Sequence, residues 1–268
     1  MNAAQPIGVF DSGIGGLTVA KAIAERLPNE SLIYFGDTAH LPYGDKSADA
    51  IRYYAINITR VLLEKGCKMI VVACNSASAA AYEILLDFYA DRTHLVNVVD
   101  PLVATVQQYD FSKVGIIATK ATVRSGVYSR KLREAMPTLE VAALPTPLLV
   151  PMIEEGFVHN NISHEIIKRY LADPKLQGID ALLLACTHYP LIRKEIEAYY
   201  AEQVQVFDSN RAAAEVVAAT LAKHGLLYEG ERQPHQFYVS DYTDNFEQAT
   251  QLFYGKQVTL GRLSIWKE

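Results

Sequence analysis

The sequence predicts an α/β protein: two similar domains, each a mostly parallel sheet covered by helices. Three observations carry that prediction. Short apolar runs alternate with amphipathic stretches along most of the chain, the pattern of strands separated by covering helices. The composition is that of an ordinary globular protein, half hydrophobic and 21% charged over 268 residues, enough for one large domain or two small ones. Finally, the segment Met69–Ser76 (MIVVACNS) is echoed by Ala181–His188 (ALLLACTH): an apolar run, then Ala-Cys, then two polar residues. The two cysteines are separated by about one small domain's length of chain.

The elements follow in order. Strand-like runs occupy Ile7–Phe10, Leu32–Phe35, Met69–Ala73 and Leu95–Val99. Between them, helical spacing runs over Leu17–Leu27, over a segment opened by Ser47, and from Ser76, read as an N-cap, to Tyr89. Pro101 opens a second unit, with strands near Val114–Ala118, Leu139–Leu144, Ile179–Ala185 and Val204–Phe207. Its helices are expected at Tyr128–Ala135, Ser163–Leu171 and Leu191–Tyr200. Ser209 reads as the cap of a helix ending near Lys223–Gly225. From Tyr228 apolar density falls; Gln236–Ser240 and Gln257–Leu260 alternate like short strands, and the tail reads as an extension outside the core.

The net charge of −5 argues against a general binder of phosphate backbones, so no nucleic-acid partner is expected. No apolar run approaches the roughly 18 residues of a membrane span, and Met1–Val9 does not read as a signal peptide. Three cysteines are too few, and odd in number, for a disulfide scaffold, so free thiols and a cytoplasmic protein are expected.

In an open parallel sheet, ligands gather at the carboxyl ends of the strands. Cys74 and Cys186 are both expected there, each ahead of a helix N-terminus that would lower the thiol pKa and could hold a substrate carboxylate. Pro190 reads as a first-turn residue after the second thiol. A cysteine ending a buried strand can simply be a small hydrophobe, and Cys67, with no polar residues after it, is read that way. Two thiols in matched settings point to chemistry instead.

Asp11-Ser12-Gly13-Ile14-Gly15-Gly16 follows a strand and opens a helix, but G-x-G-x-x-G fails at Thr18 and no Walker lysine follows. The glycines fit close backbone approach to a small ligand, and Asp11 is either a proton acceptor at the strand end or a turn cap. Pro42-Tyr43-Gly44-Asp45 is a turn with backbone donors. His188 lies two residues from Cys186, as acid, base or ligand, yet no paired spacing supports a zinc site. A Cys–His hydrolase needs only one thiol. A module that senses an acidic metabolite leaves the matched thiols incidental.

Two opposed thiols suit racemisation at a carbon beside a carboxylate, one sulfur removing the proton as the other returns it. The site must then stabilise carbanionic charge with oriented donors. No pyridoxal-type lysine motif is evident, so neither cofactor nor metal is expected. Sulfurs in separate pockets would refute this reading.

The residues resemble the cofactor-independent aspartate/glutamate racemase family, most closely its glutamate-specific branch. The resemblance rests on Gly8–Gly13 with Gly15-Gly16, Asp37 with Pro42-Tyr43-Gly44, Ala73–Ser78, Gly115–Thr119 with Thr122, Val150–Glu154 and Cys186–Pro190, within Ile7–Leu226. It implies conversion of L-glutamate to D-glutamate for peptidoglycan, in a site in the cleft between two facing domains. Cys74 and Cys186 are then the acid/base pair, Asp11 assisting Cys74 and His188 assisting Cys186. Asp11, Ser12, Tyr43, Gly44, Asn75, Ser76, Thr187 and His188 bind substrate, with Thr119, Thr122 and Glu154 supporting. Ser76 stands where the family often has Thr, which keeps the hydroxyl. Thr146 stands where many relatives carry Cys. The resemblance also returns the last core helix to the first domain, giving residues 1–98 with 208–227, then 99–207, then a 228–268 extension. A homodimer is expected. An aspartate racemase would share fold and thiols and differ in the side-chain pocket.

Overall fold

The computed structural model of the chain describes residues 1–242 and 244–266. The first half runs β1 (Ile7–Asp11), α1 (Leu17–Arg26), β2 (Leu32–Gly36), α2 (Ala48–Glu64), β3 (Met69–Val72), α3 (Asn75–Tyr89) and β4 (His94–Asn97). The second runs α4 (Val99–Val106), β5 (Lys113–Ala118), α5 (Lys120–Ser125), α6 (Val127–Ala135), β6 (Glu140–Pro145), α7 (Leu149–Glu154), α8 (Asn161–Leu171), β7 (Ala181–Ala185), α9 (Arg193–Tyr199) and β8 (Gln205–Asp208). Then come α10 (Ser209–Lys223), β9 (Gln236–Val239), α11 (Asp244–Tyr254) and β10 (Gly261–Arg262).

Two parallel sheets result, ordered β10-β9-β2-β1-β3-β4 and β6-β5-β7-β8. Removing β9 and β10 leaves the same order in each half: second strand, first, third, fourth. The internal sequence echo is therefore a topological one. β3 and β7 are equivalent strands, and Cys74 and Cys186 lie just beyond their carboxyl ends.

Burial on both faces explains the unbroken apolar runs. In β1 and β3, Ile7, Val9, Met69 and Val71 join the core that also holds α1 and α10, while Phe10, Ile70 and Val72 join the core under α2 and α3. In the second sheet Val114, Ile116, Ala181 and Leu183 face α4 and α6, and Leu182 and Leu184 point the other way. The α10 helix follows β8 yet packs against α1 and α4. No helix among the described residues is long and apolar enough to cross a membrane.

Several boundaries differ from expectation. Ser47 does cap α2, its side chain accepting from the Ala50 amide. Ser76, however, lies inside α3, whose cap is Cys74, and Ser209 is the first residue of α10, capped by the Asp208 side chain. The residues after Cys186 form a short 3₁₀ turn, Tyr189–Ile192 with Pro190 inside it, before α9 begins at Arg193.

The tail is the largest correction. It was expected outside the core, but β9 pairs along β2, and Phe237, Val239, Phe253, Tyr254, Val258 and Leu260 are buried in the main core. The α11 helix, which the sequence reading missed, packs on α1. Residues 257–260 are not a strand; the pairing falls at Gly261–Arg262.

Candidate active site

A cavity of about 170 Å³ lies at the carboxyl ends of the two sheets and is lined from both. The first half supplies Ser12, Tyr43, Gly44, Asp45, Cys74, Asn75 and Ser76; the second supplies Thr119, Lys120, Thr146, Glu154, Cys186, Thr187 and His188. Its volume matches a handful of waters, the scale of one small metabolite. Larger clefts of about 750 and 540 Å³ are open grooves around Arg193, Asp208 and Arg211, without a thiol. Chemistry rather than size selects the smaller cavity.

The two thiols share this cavity, and each has its own partner. Asp11 sits behind Cys74, at the end of β1. Its Oδ2 accepts from the Gly16 amide at 2.9 Å and the Gly13 amide at 3.3 Å, while buried Oδ1 has no hydrogen-bond partner among the described residues. Burial raises the Asp11 pKa, against the charge of His188 and hydrogen bonds from those amides and from Cys74. Burial first, then the Asp11 charge, also push the Cys74 thiol well up, outweighing the Ala77 and Ser12 donors. The expected lowering of this thiol by the helix end is therefore overturned. Taking a thiolate out of water beside a carboxylate costs more than the α3 N-terminus returns.

On the other side His188 bridges Cys186 and Glu154. Its Nδ1 is 3.8 Å from Cys186 Sγ and its Nε2 is 2.9 Å from Glu154 Oε1. Burial disfavours the imidazolium, but the hydrogen bonds and negative charge of Cys186 and Glu154 prevail, raising the His188 pKa to about 10. An imidazolium donates from both nitrogens, so a charged His188 can serve Cys186 and Glu154 together. The two sides of the cavity are thus poised differently: a protonated thiol beside a carboxylate, and a thiol beside a cation.

Glycine makes this packing possible. A Cβ at Gly15 would lie 2.3 Å from His188 Cε1, and one at Gly16 would lie 2.5 Å from Asp11 Cβ. Hydroxyls and amides join the halves around the thiols. Ser76 Oγ lies 2.9 Å from Thr119 Oγ1 and 3.3 Å from Thr122 Oγ1, Thr18 Oγ1 donates to the Thr187 carbonyl, and Tyr128 Oη donates to Asn75 Oδ1 at 2.6 Å. Buried Asn75 Nδ2, on the same amide, has no acceptor among the described residues. A buried donor without a partner is costly, so Nδ2 is a ready donor for a ligand oxygen.

All the site residues expected from sequence line the cavity except Asp11 and Thr122, which reach it through Cys74 and Ser76. Cys67 is buried in the core of the first half, burial raising its thiol to about 12. Sequence reasoning missed Lys120, which pairs with Asp45 at 3.2 Å, and Tyr128, which orients Asn75. Neither lies in a motif. Their roles arise only when the halves meet.

A parallel α/β pair with a thiol after each matched strand, both lining one cavity, is an arrangement able to exchange a proton at two faces of one carbon. The chain belongs to the Asp/Glu/Hydantoin racemase family, whose model matches residues 7–217. It is 40% identical over 260 residues to the glutamate racemase of Chlorobaculum parvum, covering 96% of this chain and 95% of that protein. Glutamate racemase from Francisella tularensis, solved in complex with D-glutamate, aligns with a TM-score of 0.92 and 36% identity over 98% of both chains. The enzyme from Thermus thermophilus, solved with beta-chloro-D-alanine, gives 0.89 and 37%, also over 98% of both.

Proposed function

We propose that the protein interconverts L- and D-glutamate without a cofactor, using Cys74 and Cys186 as the two acid/base groups. The observation that carries this is the convergence of both thiols, one from each sheet, on a single small cavity. Relatives named for glutamate, one of them holding D-glutamate, support the choice of substrate.

In one direction the Cys186 thiolate, paired with the His188 imidazolium, removes the Cα proton. Cys74, held beside Asp11, delivers its own proton to the opposite face, and the charge left on its sulfur is stabilised by the Ser12 hydroxyl and amide and by the Ala77 amide. The reverse direction starts from the Cys74 thiolate. Asn75 Nδ2 and the hydroxyls of Ser12, Ser76, Thr119 and Thr187 bind substrate oxygens and stabilise charge that develops on the carboxylate. Tyr43 and Gly44 form the facing wall, Thr122 holds Ser76, and Glu154 holds the proton on His188. On this reading residues 1–98 with 208–227 and residues 99–207 act as two lobes around the substrate, with 228–268 attached to the first. The resemblance to the glutamate-specific branch extends the proposal to a cytoplasmic homodimer whose D-glutamate feeds peptidoglycan.

The decisive assay is chiral chromatography of either enantiomer in D₂O with no added cofactor. Racemisation with deuterium entering Cα, abolished in both Cys74→Ser and Cys186→Ser, is expected. Normal turnover by either variant would refute the mechanism, and faster turnover of aspartate would move the assignment to that substrate.

A further inference from the structure

We propose that Trp266 is a positioning residue for the substrate cavity, acting through the buried carboxylate of Asp37 to fix the Tyr43–Asp45 turn. The proposal rests on the reading of that cavity as an amino-acid racemase site.

Asp37 is completely buried and is not part of the cavity wall, so the reaction itself leaves it unused. A buried carboxylate needs several donors, and here they come from two distant parts of the chain. Tyr43 Oη donates to Oδ2 at 2.7 Å, and His40 Nδ1 lies 2.9 Å from the same oxygen. On the other oxygen, Trp266 Nε1 and Ser240 Oγ each donate at 2.8 Å. The carboxylate therefore joins the tail on one side to a cavity residue on the other.

The surrounding contacts repeat this connection. Ser240 Oγ also accepts from the Ala39 amide, the Asp241 amide donates to Thr38 Oγ1, and the Ser240 amide extends the β2–β9 pairing to the Gly36 carbonyl. The Trp266 ring meets His40 at 4.7 Å and Tyr54 at 5.4 Å, both edge-on, and Tyr54 lies 5.5 Å from Tyr43. Tyr43 has its hydroxyl committed to Asp37, so its own position is set from behind, by the tail. Across the cavity the packing leaves little slack: a Cβ on Gly44 would lie 3.0 Å from Thr119 Cβ. A small shift of this turn changes the fit to substrate. The tail, which the sequence leaves without a role, thereby belongs to the substrate site.

Trp266→Phe keeps an aromatic ring and deletes the N–H; Ser240→Ala deletes the other donor to the same oxygen. In the glutamate assay both variants are expected to raise KM about three- to tenfold, with kcat within about twofold of wild type. Because the effect passes through Asp37, Trp266→Phe combined with Tyr43→Phe should raise KM little more than Tyr43→Phe alone. An unchanged KM in Trp266→Phe and Ser240→Ala, a fall in kcat alone, or fully additive effects would overturn the proposal. If Trp266→Phe fails to fold, Ser240→Ala decides alone. Wild-type protein inert toward glutamate would sink the functional reading instead; calorimetric Kd for glutamate then replaces KM, with the same rise expected and an unchanged Kd overturning the positioning role.

Discussion

Gly15→Ala tests how the His188 side of the cavity is built. Gly15 has no left-handed φ, so its backbone accepts alanine and only space is at issue. The added methyl would lie 2.3 Å from His188 Cε1, 2.5 Å from Nδ1 and 2.6 Å from Thr187 Oγ1. Ordinary contact needs about 3.5 Å or more, so something must move by roughly 1 Å. The loop is held by Thr18, whose hydroxyl bonds both the Gly15 and Thr187 carbonyls, and the ring is backed by Phe253 at 5.0 Å. Displacing the imidazole strains its 2.9 Å bond to Glu154, a charge-assisted bond of about 1.5–3 kcal/mol. Overpacking adds a comparable cost of about 1–3 kcal/mol, which for a chain of this size lowers Tm by roughly 2–10 °C. Misplacing a proton-transfer partner by about 1 Å costs about 100-fold in kcat. Chiral chromatography of glutamate and a thermal melt on the same sample measure both effects. A variant within threefold of wild-type kcat would refute the assignment of His188 to the reaction.

Glu154→Gln keeps a hydrogen-bond acceptor for His188 and removes its charge, so the His188 pKa should fall from about 10 by about one unit, read by NMR titration of the ring. The sign of the linked stability follows from the raised pKa. The stabilisation is complete below the unfolded value of about 6.5 and is lost as pH rises through about 10, so Tm should decline over that window, less steeply in the variant. Lys68→Met removes a fully buried ammonium that bonds Glu30 at 2.6 Å and the Ala3 and Leu226 carbonyls, leaving Glu30 buried and unpaired. A loss of about 3–5 kcal/mol is expected, measured by denaturant unfolding, with kcat near wild type at 25 °C. Alkylation by iodoacetamide, mapped by mass spectrometry, should label Cys74 and Cys186, which line the cavity, before Cys67, which is packed in the core; early labelling of Cys67 would contradict that placement.

Much of the fold was legible because burial on both faces leaves a simple mark. Runs such as Ile7–Phe10 and Met69–Ala73 are continuous apolar stretches, and their observed strands differ by one residue at most. The paired Ala-Cys segments were legible as equivalent sites because the two sheets share one topology. The tail was misread because an outer strand such as β9 buries only some of its side chains, and α11 presents a narrow apolar face. Cap positions slipped at Ser76 and Ser209 because a neighbour took the cap: the Cys74 backbone in one case and the Asp208 side chain in the other. The acidity of Cys74 was misjudged for a different reason. A helix end is visible in sequence, but the desolvation and the carboxylate that oppose it exist only after folding.

The order of strands in the larger sheet also bears on how the protein is made. β2, with the sequence LIYFG, is wholly buried and lies beside β9, which the ribosome completes some two hundred residues later. Until then its backbone donors and acceptors form an open, apolar edge of the kind that recruits strands from other molecules. A nascent chain, or one cut before Gln236, presents that edge to its neighbours. The β9 strand thus acts as a stopper against self-association, and synthesis interrupted before it should yield inclusion bodies rather than a smaller soluble enzyme.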